Sequence, residues 1–81
     1  MNREYIIENL INQLNNLAEE KYDFNEETVL IEANITSIGF VKLLIFAESQ
    51  FDIVFSDEDL LMSNDIKLKD LVDKIINLQN Q

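Results

Sequence analysis

A serine opens the longest apolar run in the chain, in the stretch NITSIGFVKLL that covers residues 34–44. The hydroxyl of Ser37 can act as a catalytic nucleophile only where a base activates it, and the 81-residue chain contains neither histidine nor cysteine. A serine-hydrolase triad, a thiolate metal site and a cysteine nucleophile are therefore excluded. Two interpretations of Ser37 remain. It is either the N-cap of a helix, with Thr36 competing for that position, or the residue to which a group is attached.

The acidic side chains offer little further chemistry. Paired carboxylates occur at 19–20 and 57–59, where they are typical of helix ends and solvated charge rather than of acid–base catalysis. Around Asp23 the chain alternates acidic and amide residues as a calcium loop does. However, Thr28 replaces the required glycine and Asn34 the final glutamate. We therefore expect a protein that is not an enzyme and that binds no metal.

The composition indicates one small folded domain covering residues 1–81. Apolar residues make up 47% of the chain, which is enough to form a core, and sixteen acidic against six basic residues give a formal net charge of −10. Such a charge repels nucleic acids and anionic lipid, and it either attracts basic protein surfaces or only keeps the protein soluble. With no signal-like start and no apolar run of about 20 residues, we expect a cytoplasmic protein without membrane insertion.

Helical periodicity predicts the elements that must position Ser37. A first helix should run from about residue 3 to about residue 19, with Asn2 as its N-cap, and a last helix should cover 68–78. Between them, the run from Ile38 to Phe51 is apolar on more than one face, and a short fourth helix is expected at 57–62. The prediction is an all-α four-helix bundle of three long helices and one short one. Its predicted core contains Leu10, Leu14, Leu17, Val41, Leu44, Phe51, Leu71, Val72 and Ile75.

The connection between the first two helices, about residues 20–36, is long for a compact helical domain. Loops of this length tend to be functional or to contain unrecognised turns. We expect Val29, Leu30 and Ile31 to pin this loop across the bundle.

The order of these elements, over essentially the whole chain, resembles the acyl carrier protein family. In that family a serine and an aliphatic residue begin the second helix. After them come a glutamate, a Phe-Asp or Phe-Gly pair and an extended apolar segment. The third helix then begins with Ser/Pro-Asp-Glu. The matching residues here are Ser37-Ile38, Glu48, Phe51-Asp52, Ile53-Val54-Phe55 and Ser56-Asp57-Glu58.

The resemblance implies that Ser37 carries 4'-phosphopantetheine, a flexible arm ending in a thiol. A phosphopantetheinyl transferase would attach the arm, and an acyl- or aminoacyl-loading enzyme would load a substrate onto it. Downstream synthase or transferase enzymes would then receive that substrate from the carrier. We expect the carrier to be a monomer. The position suits the modification, because a helix N-terminus stabilises a phosphodiester. A chain without cysteine also needs an external thiol to hold thioesters.

Two departures from the family pattern precede the serine. Thr36 stands where the family most often has aspartate, which leaves open which transferase modifies the protein. Ala33-Asn34 replaces a Leu-Gly pair, but asparagine tolerates the left-handed conformation that a glycine would supply. We therefore expect the turn itself to be retained.

The second helix also lacks the strongly acidic face of fatty-acid carriers. Its comparable positions are neutral or apolar with one acid, which resembles peptidyl and specialised-metabolism carriers. For Ile45 and Phe46 the sequence leaves open both the surface and the core. We expect a discrete carrier in a polyketide, nonribosomal peptide or related pathway. The alternatives are a fatty-acid-synthesis carrier and an unmodified carrier-like binding module. The residues expected to contact partners are Thr36, Ile38, Gly39, Lys42, Ile45, Glu48, Asp57 and Glu58.

Overall fold

Three α-helices frame the protein in a computed structural model that describes residues 2–18, 20–61 and 63–81. They are α1 (Arg3–Leu17), α2 (Ser37–Phe51) and α3 (Leu68–Gln79), and each packs against the other two. The described residues contain no strand beyond an isolated antiparallel bridge between Val29 and Lys67. The predicted all-α class is confirmed.

The predicted fourth helix is not confirmed. Over 57–62 the structure forms only a three-residue 3-10 turn, Glu58–Leu60, and Met62 lies outside the described residues. Ser56 and Asp59 do make the reciprocal hydrogen bonds of a helix start, with the Ser56 amide donating to the Asp59 carboxylate at 3.0 Å. None of the three residues of this turn is fully buried and only Leu60 packs against the core, so little apolar surface stabilises a longer helix here.

Local capping interactions explain where the helices begin and end. The Asn2 side chain accepts a hydrogen bond from the Tyr5 amide at 2.8 Å and starts α1, as the sequence predicts. Helix α1 ends at Leu17, earlier than expected; Ala18 is extended, and Glu19 is outside the described residues. Helix α2 ends at Phe51, and the next residue, Asp52, adopts the left-handed conformation with φ of 54°.

The core lies where the apolar faces of the three helices meet. Two predicted core residues, Leu17 and Val41, are only half-buried. Leu17 is the last residue of α1, and Val41 lies on the flank of α2 between its buried and its exposed face. The buried helical residues are Ile6, Leu10, Leu14, Phe40, Leu43, Leu44, Ala47, Phe51, Leu68, Leu71, Val72 and Ile75.

The loop that precedes α2 is held across the bundle by backbone hydrogen bonds. The Leu30 amide donates to the Ile66 carbonyl at 3.0 Å, and the Leu68 amide donates to the Thr28 carbonyl at 3.0 Å. Leu30 is fully buried, as predicted, whereas Ile31 is 44% exposed and does not pin the loop. The loop is therefore held against the start of α3. Because α2 follows this loop directly, the same hydrogen bonds help to position the start of α2.

Ion pairs add a second attachment of the same loop. Arg3 at the start of α1 pairs with Glu26 at 2.8 Å and with Asp73 of α3 at 2.6 Å. Glu27 forms ion pairs with Lys69 at 3.0 Å and with Lys67 at 3.4 Å. We call this group, formed by these six side chains, the loop clasp. It links the loop to both terminal helices.

Candidate functional site

Ser37 is the first residue of α2 and is exposed to solvent. The N-cap is Thr36, whose extended backbone (φ −77°, ψ 169°) precedes the helix and whose Oγ1 accepts a hydrogen bond from the Gly39 amide at 3.0 Å. Within the described part of the chain, the Ser37 hydroxyl makes no hydrogen bond. Of the two residues that compete for the cap, Thr36 fills it, and the Ser37 hydroxyl is not needed to start the helix.

A tight turn at residues 30–35 leads into the start of α2. Asn34 adopts the left-handed conformation with φ of 64°, as its tolerance of that region predicts. The Asn34 amide donates to the Ile31 carbonyl at 3.1 Å, and the Ile35 amide donates to the Leu30 carbonyl at 3.1 Å. Ile35 is buried, so an apolar anchor lies two residues before Ser37 and fixes where the serine projects from the bundle.

A partly enclosed cavity of about 280 Å³ lies between the end of α1 and the start of α2. It reaches the residue before the serine, Thr36, and the residue two after it, Gly39. Its walls combine aliphatic and polar side chains. The lining residues are Leu17, Ala18, Glu20, Lys21, Tyr22, Ala33, Asn34, Ile35, Thr36 and Gly39.

The distribution of positive charge also distinguishes this end of the molecule. Two of the six basic side chains, Lys21 at the cavity and Lys42 on α2, have no ion-pair or hydrogen-bond partner among the described residues. All six belong to the described residues, and the other four are paired with carboxylates. Those four are Arg3, Lys67, Lys69 and Lys74.

The exposed face of α2 carries apolar side chains beside the serine. Ile38 is 70% exposed and Ile45 is 57% exposed, with the exposed Lys42 between them in sequence. Phe46, in contrast, is half-buried and packs against the core. The sequence did not decide whether Ile45 and Phe46 belong to the core. In the structure Ile45 lies on the surface, and Phe46 packs against the core.

Glu48 has an internal role that the sequence did not indicate. This half-buried side chain accepts a hydrogen bond from the Phe55 amide at 2.8 Å, and the Glu48 carbonyl accepts from the Ile53 amide at 3.3 Å. It therefore organises the segment that leaves α2. The expected partner contacts Asp57 and Glu58 are exposed beside it, at the 3-10 turn that packs against α2.

Asp59 is a second acid with an internal role, a pairing with Lys74 that the sequence did not indicate. Partial burial raises the pKa of the Asp59 carboxyl. Hydrogen bonds from the Ser56 amide and hydroxyl, together with the Lys74 ammonium 3.3 Å away, outweigh this effect and hold the pKa below its usual value. Asp59 is therefore a structural carboxylate that ties the 3-10 turn to α3.

The geometry brings most of the predicted site residues together. Ser37, Ile38, Gly39, Lys42 and Ile45 lie within the first nine residues of α2, with Thr36 capping it. Within residues 2–18, 20–61 and 63–81, no group of acidic side chains is arranged to hold a metal ion, and no helix combines the length and apolar character of a bilayer-spanning segment. No protein-family model, curated protein or solved structure matches the chain significantly.

Proposed function

We propose that the protein is a discrete acyl or aminoacyl carrier, a member in function of the acyl carrier proteins, that holds substrates as thioesters on a 4'-phosphopantetheine arm at Ser37. The observation that carries the proposal is the division of roles at the start of α2. Thr36 supplies the cap, so the exposed Ser37 hydroxyl is available for a covalent bond. The residue pattern from Ser37 to Glu58, which resembles the family, supports the same conclusion.

The modification would proceed by phosphoryl transfer from coenzyme A. The Ser37 Oγ forms a bond to the phosphorus that bears the pantetheine, and the bond from that phosphorus to the adenosine bisphosphate half of coenzyme A breaks. The hydroxyl proton passes to a base of the transferase, since the chain has no histidine of its own. The attached phosphodiester is stabilised by the positive end of α2.

A carrier of this kind requires no catalytic groups, because its partners carry out the chemistry. Those partners are a phosphopantetheinyl transferase, a loading enzyme, and the synthase or transferase that takes the cargo. The exposed aliphatic residues Ile38 and Ile45 favour a dedicated biosynthetic pathway, polyketide, nonribosomal peptide or related, over fatty-acid synthesis. We propose that the carrier acts as a cytoplasmic monomer.

A second candidate function is an unmodified carrier-like module that only binds a partner protein. Thr36 favours it, since the family usually has at that position an aspartate that meets basic groups of the transferase. The free Ser37 hydroxyl opposes it. The alternative of a fatty-acid carrier rests on the net charge of −10, which attracts basic partner enzymes.

Labelling with a fluorescent coenzyme A and a permissive transferase tests the proposal. We expect one label per chain, lost in Ser37→Ala and retained in Ser49→Ala, an exposed serine on the same helix. Labelling of Ser49, Ser56 or Ser63, or of no residue with any of several transferases, would contradict the carrier function.

A further inference from the structure

The outward face of α2 carries a single charge, and that charge is positive. Four exposed residues recur every three or four positions and so form one line along the outside of the helix: Ile38, Lys42, Ile45 and Ser49. We call these four residues the outer stripe. Lys42 is the only charged residue among them, and it has no ion-pair partner within the described part of the chain. The outer stripe therefore presents two isoleucines and one unpaired ammonium to the solvent.

The acidic side chains of the protein lie outside this stripe. Residues 33–47 contain no aspartate or glutamate, although the chain has sixteen acids against six bases. The one acid of α2, Glu48, is half-buried and accepts a hydrogen bond from the Phe55 amide at 2.8 Å, so its carboxylate is engaged within the protein. The net charge of −10 thus comes from other surfaces, and Lys42 makes the outer stripe positive.

Lys42 lacks the structural role that the paired cations have. Ion pairs of Arg3, Lys67 and Lys69 hold the long loop to the terminal helices. The ion pair of Lys74 ties the 3-10 turn to α3. The Lys42 ammonium makes no such connection and is available to a group outside the protein. A protein surface that covers it must remove its water, which is unfavourable unless a carboxylate takes the place of that water.

We infer that the outer stripe selects a phosphopantetheinyl transferase that presents a carboxylate toward Lys42 and apolar side chains toward Ile38. The inference rests on the proposed function, because a transferase that modifies Ser37 must cover the end of the stripe next to it, where these two residues lie. Ile45 lies two turns beyond Ile38.

Lys42 is thus a specificity-determining residue that acts against a transferase with a basic carrier-binding surface. The net charge of −10 attracts such an enzyme at a distance, but at contact its basic groups meet the Lys42 ammonium. The acidic face of a fatty-acid carrier would fit the same enzyme without this repulsion. The polarity of the contact at α2 is therefore the reverse of the polarity of the whole protein.

Rates of Ser37 modification by a transferase with a basic carrier-binding surface test this inference. Lys42→Glu should accelerate the modification about tenfold, because repulsion at contact becomes attraction. Lys21→Glu is the matched control, since it changes the net charge equally at the other unpaired lysine, which is exposed but lies outside the outer stripe. It should change the rate much less. The acceleration in Lys42→Glu should shrink in about 0.5 M salt, which screens the contact.

Substitutions in the same transferase test the carboxylate directly. Each basic residue of its carrier-binding surface is replaced by glutamate in turn. We expect at least one of these enzymes to modify the parent faster than the original enzyme does, and to modify Lys42→Glu more slowly. This crossed dependence identifies a pair of residues in contact.

The outcomes separate this inference from the proposed function. Equal acceleration in Lys42→Glu and Lys21→Glu would show that only the net charge matters, and equal rates for the parent and Lys42→Glu would show that Lys42 selects nothing. Either result overturns the inference, as does the absence of any substituted transferase that prefers the parent. Complete modification of Ser37 by mass would in each of these cases leave the carrier function intact. A protein that no transferase modifies, broad-specificity enzymes included, overturns both.

Discussion

The Thr36 hydroxyl accepts a hydrogen bond from the Gly39 amide at 3.0 Å. This bond makes Thr36, and not the following Ser37, the N-cap of α2. In a helix started by Ser37 itself, the hydroxyl would be occupied by the backbone. With Thr36 as the cap, the start of α2 is stable without the serine side chain. Thr36 is therefore the cap, and the Ser37 hydroxyl has no structural role at this helix N-terminus.

Thr36→Ala should destabilise the fold by about 1 kcal/mol, because the Gly39 amide loses its partner. Thr36→Asp should retain the stability, since aspartate is an equally good cap and its charge suits a helix N-terminus. Urea unfolding measures both. Ser37→Ala is the matched control and should unfold close to the parent; if Ser37→Ala is the costly change and Thr36→Ala is neutral, the assignment of the cap is wrong.

Glu48→Ala should destabilise the protein by about 1 kcal/mol or more, because the Phe55 amide would lose a charged acceptor in a half-buried position. The neighbouring Ser49→Ala, at an exposed position, provides the control and should change the urea midpoint little. Equal midpoints for the two variants would show that the Glu48 carboxylate does not hold the segment after α2.

The loop clasp should lose stability in acid. A hydrogen bond from Lys69 lowers the pKa of Glu27, partial desolvation opposes the shift, and Lys67 adds to it. Because the folded pKa lies below the unfolded value of about 4.3, the stabilisation is present above that pH and is lost as pH falls through the folded pKa. Urea midpoints measured from about pH 6 to about pH 3 should therefore decline at the acid end.

Substitution at the clasp isolates this contribution. Glu27→Gln removes the titrating group, so its midpoint should fall less steeply in acid than that of the parent. Glu32→Gln changes an exposed carboxylate of the same loop that forms no ion pair in the described part of the chain. The urea midpoint of this variant should fall in acid as steeply as that of the parent. An acid decline that is the same in all three proteins would exclude Glu27 as its source.

Ile45→Asp should slow loading by the cognate enzyme while leaving the fold and the modification of Ser37 unchanged, because Ile45 is 57% exposed on the face beside the serine. Asn12→Asp introduces the same charge on an exposed position of α1 and is the control. Loading should also depend only weakly on salt. A loading rate that is unchanged in Ile45→Asp but falls strongly in a variant with Asp57 and Glu58 neutralised would show that acidic residues direct docking.

Local signals in the sequence were sufficient for the parts of the fold that depend on nearby residues. Asn2 begins α1 through its own side chain, and the left-handed turn at Asn34 follows from the tolerance of asparagine for that conformation. The pattern Ser56-Asp57-Glu58-Asp59 predicted a helix start, and the hydrogen bonds of a start are present. The helix itself is absent because a cap supplies no apolar face to pack.

Tertiary relationships could not be predicted from the sequence. Helix α2 is apolar on more than one face, so periodicity alone could not decide that Phe40 is buried while Ile45 is exposed. Glu48 and Phe55 meet only because the chain turns at Asp52, and Arg3 pairs with an acid seventy residues away. The cavity between the end of α1 and the start of α2 depends on the path of the long loop, for which no periodic pattern exists.

Intact mass of the protein co-expressed with a broad-specificity phosphopantetheinyl transferase tests the central claim most directly. The proposed function predicts a single added phosphopantetheine, which fragmentation assigns to Ser37 and which is absent from Ser37→Ala produced in the same way. An unmodified mass for the parent with several transferases, or an equal addition to Ser37→Ala, would contradict it.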